Sequence, residues 1–160
     1  EPLGALLEAA GLHPEVQFRV TGRTGPANRD IVASAPPNVA FTGFLPDAEY
    51  HRLLAGAHAV ACLTTRDHTM QRGACEALSL ERPILTSNWP ILRAYFDRGS
   101  VHVASTPDGI ADGIRRLVED YDRLNTEIVA LAALRRREWA ERRTQLRALL
   151  GLTPDTRTAP

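Results

Sequence analysis

The stretch from Thr64 to Ser87, TTRDHTMQRGACEALSLERPILTS, concentrates the groups of this chain that could do chemistry. It reads as a strand end, a polar turn, a helix from about Met70 to Leu80, and a strand over Ile84 to Thr86. The N–H groups that open such a helix have no partner further back and attract anions. Glu76 lies a turn further in, where a carboxylate can accept hydrogen bonds from hydroxyls. Amides for a phosphate and a carboxylate for a sugar together suit a nucleotide or a nucleotide-sugar.

On that helix Glu76 shares a face with Gly73 and Arg72. An interior glycine costs about 1 kcal/mol relative to alanine, so something should offset it. Either a ligand approaches the helix closely at Gly73, or Gly73 serves helix packing beside an exposed Arg72–Glu76 ion pair. In the turn, Asp67 or Thr69 could cap the helix, and His68 could donate or accept hydrogen bonds. Arg66 and Arg72 could meet a phosphate or simply water.

Short apolar strands separated by helices must hold these groups. Strands are expected at Val16–Thr21, Val39–Thr42, Val60–Leu63, Ile84–Thr86 and Val101–Val103. Helices are expected at Leu3–Ala10, Ala27–Ser34, Asp47–Ala57, Pro90–Phe96 and Pro107–Asp120, with a long last one over Arg123–Leu150. In that last helix Leu124, Ile128, Leu131, Leu134, Leu146 and Leu149 recur as one stripe facing a core. Repeated strand–helix alternation predicts an α/β fold, a Rossmann-like doubly wound parallel sheet with helices on both faces. Residues 1–150 form one domain in this reading, and 151–160 a frayed tail.

The order opens on a helix with no strand ahead of it and with no initiator methionine. A missing first βα unit, and a chain cut from something longer, are therefore expected.

Composition narrows the options. The 160 residues carry 19 arginines and lysines against 19 acidic residues, so no overall field draws the chain to nucleic acid or an anionic surface. Every one of those basic residues is arginine, which excludes lysine Schiff-base chemistry. No run approaches the roughly 20 apolar residues needed to span a bilayer, so the chain is read as soluble and cytoplasmic. Cys62 and Cys75 lack metal or disulfide spacing and are read as buried thiols. No metal or bound cofactor is expected.

The runs VQFRVTGR, VAFTGFLPDAEYHRLLAGAHAVACLTT and QRGACEALSLERPILTS resemble, in order and spacing, the C-terminal nucleotide-binding half of GT-B glycosyltransferases, especially family 4. The likeness spans Val16 to Asp120. It implies transfer of a sugar from a nucleoside-diphosphate sugar to an acceptor, in a cleft completed by an N-terminal acceptor domain that this chain does not contain. By this resemblance Glu76 matches the second glutamate of the family's pair and holds the ribose hydroxyls. Met70, Gln71 and Arg72 present backbone N–H groups to diphosphate and sugar. Phe44 and Leu45 match the turn that lies against the nucleobase, and Arg23 substitutes for diphosphate-binding basic residues of the absent first unit. His68 stands where the family has its first glutamate, with Asp67 beside it; either could contact the donor sugar.

Two readings compete with donor binding. One is a non-catalytic α/β interaction module that keeps the sheet and has lost the site. The other rests on Arg135, Arg136, Arg137, Arg142, Arg143 and Arg147, a basic helix that could meet a membrane or nucleic acid. Interleaved Glu138 and Glu141 make a solvated face the better reading of it. By the family resemblance, a late helix also returns toward the N-terminal domain and could partner some of these arginines there.

Overall fold

A computed structural model describes residues 2–25 and 29–152. The chain is α/β. Helices α1 (Leu3–Gly11), α2 (Arg29–Ala33), α3 (Asp47–Gly56), α4 (Arg72–Ser79), α5 (Pro90–Tyr95), α6 (Pro107–Glu119) and α7 (Tyr121–Leu149) are joined by strands β1 (Phe18–Thr21), β2 (Val39–Gly43), β3 (Val60–Cys62), β4 (Ile84–Ser87) and β5 (Ser100–Val103). The expected start of α2 at Ala27 and the tail from Thr153 onward lie outside the described residues.

All strand pairings are parallel, as crossover helices require. The expected single sheet is divided, however: β1 pairs with β2, and β3, β4 and β5 form a separate three-stranded sheet with β4 in the middle. Tyr50, in the first turn of α3, donates to Glu76 of α4. Since α3 follows β2 and α4 follows β3, that bond places the ends of both strands on one side, and the two sheets run in the same sense.

Helices cover both faces of β4, and all four of its residues are buried. Alternation along a strand sends neighbours to opposite faces. Leu85 joins Val101, Val103, Ile110, Ile114 and Leu124 on one side. Ile84 joins Leu78, Leu92, Phe96, Ile128 and Leu131 on the other. Each wholly buried side chain of this kind contributes about 1.5–3 kcal/mol over leaving it in water. The buried hydroxyls are satisfied: Thr86 donates to the Cys62 carbonyl at 2.9 Å, and Ser87 Oγ accepts from the Thr64 amide at 2.8 Å.

Two glycines let α6 and α7 approach. A Cβ on Gly113 would fall 2.3 Å from Val103 Cγ1, and one on Gly99 would fall 2.4 Å from the Ile128 amide nitrogen. Gly99 also has φ +64°, a left-handed conformation that glycine adopts without cost. Its amide donates to Glu127 at 3.0 Å, a bond that, with Arg123, holds the Glu127 carboxyl below the usual range.

The stripe along α7 is half right. Leu124, Ile128 and Leu131 are buried, but Leu146 and Leu149 are 55% and 85% exposed. At about 1.5 Å per residue, 29 residues run about 43 Å, and the helix outlasts the body it packs on. It stops where Gly151, at φ +65°, donates to the Ala148 carbonyl and Leu152 donates to that of Arg147.

Candidate functional site

The turn after β3 leads into α4, whose N-cap is Gln71. The helix therefore starts two residues later than the sequence suggests, and Met70 and Gln71 belong to its approach. No side chain caps it: Asp67 and Thr69, the expected caps, bond within the turn instead. Asp67 Oδ1 accepts from the His68 amide at 2.7 Å, and the Thr69 hydroxyl donates to the Asp67 carbonyl at 3.3 Å. The amides of Arg72, Gly73 and Ala74 thus open the helix with no acceptor further back along it.

His68 holds a left-handed backbone, φ 56°, and its side chain is 89% exposed. Nε2 lies 3.5 Å from Asp67 Oδ2. The start of the turn, by contrast, is pinned. The Thr64 carbonyl accepts from the Trp89 indole at 3.1 Å and from Ser105 at 3.3 Å, while its amide donates to Ser87.

Glu76 has both carboxylate oxygens engaged. Tyr50 Oη donates to Oε2 at 2.7 Å and Arg72 Nε donates to Oε1 at 2.7 Å. Partial burial pushes the Glu76 carboxyl up, but the hydrogen bonds from Tyr50 and Arg72 outweigh it and leave it below the ordinary value. The same contact acts on Tyr50: burial first, then the Glu76 bond, push the phenol up to about 12. Tyr50 is a site residue that the sequence did not disclose. It sits on a different helix, 26 positions away, and no local spacing links the two.

Gly73 answers the question its sequence position raised. A Cβ there would meet Cys62 Sγ at 2.8 Å, so the glycine lets α4 lie close on β3. Close packing on β3 offsets the helix cost of this glycine, beside the Arg72–Glu76 ion pair. Gln71, Gly73 and Tyr50 line one cavity of about 1000 Å³, whereas Glu76 is not among its lining residues. The two cysteines are half-buried rather than buried, and neither forms a disulfide.

A second grouping follows β1 and β2. Gly22 at φ 104° and Gly43 at φ 68° turn the chain, and the Gly22 amide donates to the Gly43 carbonyl at 2.9 Å. This sets the Arg23 guanidinium 5.7 Å from the centroid of the Phe44 ring. Phe44 is 70% exposed, while Leu45 behind it is half-buried. The structure thus brings Arg23 to Phe44, and Arg72 to Glu76.

The basic helix is partly structural. Arg135 donates to the carbonyls of Ala94 and Tyr95 at the end of α5, stacks 4.7 Å from the Tyr95 ring centroid and pairs with Glu138. Arg136 pairs with Glu81 at 2.6 Å. Among the described residues no group of three His, Cys, Asp or Glu side chains could hold a metal ion, and no helix is long and apolar enough to cross a membrane.

A family profile described as glycosyl transferase-like matches residues 4–150, nearly the whole described chain. This chain belongs to that family. No sequence among the curated proteins matches it. Among solved structures it is similar to Anabaena Alr3699/HepE in complex with UDP and glucose: TM-score 0.66, 19% identity, 88% of this chain and 44% of that one. It is also similar to the pneumococcal O-GlcNAc transferase GtfA in complex with UDP and GlcNAc, at TM-score 0.62 and 17% identity, over 82% and 28%. The catalytic domain of cholesterol-α-glucosyltransferase from Helicobacter pylori aligns at TM-score 0.59 and 16% identity, over 82% and 85%. At such identities these likenesses show the fold, which is GT-B-like. The glycosyl transferase-like chain spans less than half the length of the first two.

Proposed function

We propose that this glycosyl transferase-like chain is the donor-binding half of an enzyme that moves a sugar from a nucleoside-diphosphate sugar to an acceptor held by a further domain. The observation that carries the reading is the start of α4: a helix opening without a side-chain cap, followed one turn on by a carboxylate that Tyr50 orients. In this reading the amides around Gln71, Arg72 and Gly73 meet the diphosphate, and Met70 borders it. Glu76 takes the ribose hydroxyls once Arg72 swings away; at 89% exposure that ion pair is worth no more than about 1 kcal/mol. Phe44 offers the nucleobase an open aromatic face, with Leu45 below and Arg23 beside it. His68 and Asp67 stand nearest the transferred sugar.

Catalysis then rests on neutralising the departing diphosphate and on stabilising charge that develops only in the transition state. Arg72, released from Glu76, is the cation placed to do so. Placement in family 4, with retention at the anomeric carbon, belongs to this proposal. The relatives solved with UDP make a uridine nucleotide the first donor to try.

Titration calorimetry with UDP and with UDP-glucose tests the reading. Glu76→Ala removes two hydroxyl contacts of about 1.5–3 kcal/mol each at a charged acceptor, so affinity falls at least about tenfold. Equal affinity of the native and Glu76→Ala chains would remove Glu76 from the site. A second reading, an interaction module without donor chemistry, is favoured by the full occupancy of both Glu76 oxygens. It requires that no nucleoside diphosphate bind at all.

A further inference from the structure

The chain leaving β3 is tied at Thr64 to the ends of both other strands of its sheet. Thr64 lies just beyond β3 and is 6% exposed. Its amide donates to Ser87, the last residue of β4, at 2.8 Å. Its carbonyl accepts at 3.3 Å from Ser105, just beyond β5, and at 3.1 Å from the indole N–H of Trp89, the N-cap of α5.

Proton counting orders the hydroxyls. Ser105 has one proton and gives it to the Thr64 carbonyl, so in its 3.0 Å contact with Ser87 it accepts and Ser87 donates. The cycle from the Thr64 amide through Ser87 and Ser105 to the Thr64 carbonyl closes with every proton used once, and bonds in such a chain strengthen one another. Trp89 stands outside the cycle and takes the second lone pair of the carbonyl. The indole packs against the cluster that holds Leu92, Phe96 and Ile128, and the Trp89 amide donates to the Ser87 carbonyl at 2.9 Å. Packing asks only for a large ring; the N–H that reaches Thr64 is what the indole adds.

Beyond Thr64 the turn has little else to hold it. Among the described residues, the bonds made by Arg66, His68 and Thr69 in the turn stay within it, and Thr65, Arg66, His68 and Met70 are exposed. Its far end is fixed by α4, which Gly73 seats on β3. The course of residues 65–71 is therefore set by those two ends, and with it the direction of the amides that open α4.

We propose that Trp89 is a positioning residue for the donor diphosphate, acting through the Thr64 carbonyl on the turn that leads into α4. The inference rests on the donor reading and adds to it a residue from a different element, α5. Amides placed before the ligand arrives need no reordering when it binds. A turn released at its root spreads those amides over several placements and loses affinity for the diphosphate. Phe44 and Glu76, which meet the nucleoside in that reading, lie outside the turn and keep their grip.

Trp89→Phe is the probing variant, because it keeps a large ring and removes only the N–H. Ser105 still bonds the Thr64 carbonyl, so no buried acceptor is left unpaired. Titration calorimetry with UDP and with uridine reads the effect, since the two share the nucleoside and differ in the diphosphate. Affinity for UDP is expected to fall about five- to tenfold while that for uridine changes less than about twofold. A merely structural tryptophan would lower the melting temperature and leave the ratio of the two affinities at its native value. That result overturns the proposal, as does an equal loss for both ligands. Ser105→Ala withdraws the other donor from the same carbonyl and should reproduce the diphosphate-selective loss; it decides the matter by the same ratio if the Phe variant does not fold. A native chain that binds no UDP removes the donor reading itself, whereas native binding with an unchanged ratio in the variants removes only the role of Trp89.

Discussion

Tyr50 and Arg72 hold the same carboxylate with unequal grip. Arg72 is mostly in water and can leave at little cost, whereas Tyr50 approaches Glu76 from a half-buried position on α3. One oxygen of Glu76 is therefore free to change partner while the other keeps the group aimed. Tyr50→Phe should weaken UDP binding by about tenfold, the worth of one hydrogen bond to a charged group, with the fold retained by circular dichroism. The pH dependence follows from the same pair. Glu76 is depressed on folding, so its contribution is present above the ordinary carboxylate range and is lost as pH falls through its folded value. Tyr50 is raised to about 12, so its contribution is complete below about 10 and is lost as pH climbs from there to about 12. Thermal melts across that alkaline window should fall for the native chain and stay flatter for Tyr50→Phe. At this scale the Arg72–Glu76 pair was legible, because helical spacing is local information. Tyr50 was not, because only tertiary packing brings α3 to α4.

Among the elements, α4 shows how a single position can be read two ways until its neighbour is known. The sequence leaves Gly73 open between ligand approach and packing; Cys62 Sγ, on the strand beneath, supplies a specific contact for packing. Gly73→Ala should cost about 1–3 kcal/mol by overpacking. In a Cys62→Ala background the clash is gone, and the same change should stabilise by up to about 1 kcal/mol through helix propensity. Chemical denaturation of the four variants checks the cycle, and a loss of UDP affinity in both backgrounds would show that a ligand also approaches at Gly73. The far end of α4 offers a second case. Glu81 adopts φ 58° while its amide and that of Arg82 close the helix on the Leu78 and Ala77 carbonyls. Glycine is the usual residue in that conformation. Glu81→Gly should gain about 1 kcal/mol of backbone ease and forfeit the exposed pair with Arg136, for a small net rise in melting temperature.

For the molecule as a whole, strand–helix alternation was enough to give the fold class and the parallel pairing, and each expected strand appears within two residues of its place. The division of the sheet was less legible, since a one-dimensional pattern says which strands exist but not which edges lack a neighbour. The end of α7 failed for a related reason: its apolar period continues past Glu138, and only the folded body shows where packing stops. Residues 139–150 are nearly all exposed, so a chain ending after Glu138 should melt within a few degrees of the intact one by calorimetry. A larger drop would mean that the overhang packs on something.

The chain has two tryptophans, one in the packed body and one on the overhang of α7. The Trp89 indole is tied to the Thr64 carbonyl at the root of the turn that leads into α4, whereas Trp139 stands 66% exposed on the overhang. Their fluorescence is accordingly two signals: a shielded emitter at shorter wavelength and a wet one that acrylamide quenches readily. Events at the turn move the first, and anything that docks along the helix moves the second, so the protein carries separate optical reporters for its two ends without a label.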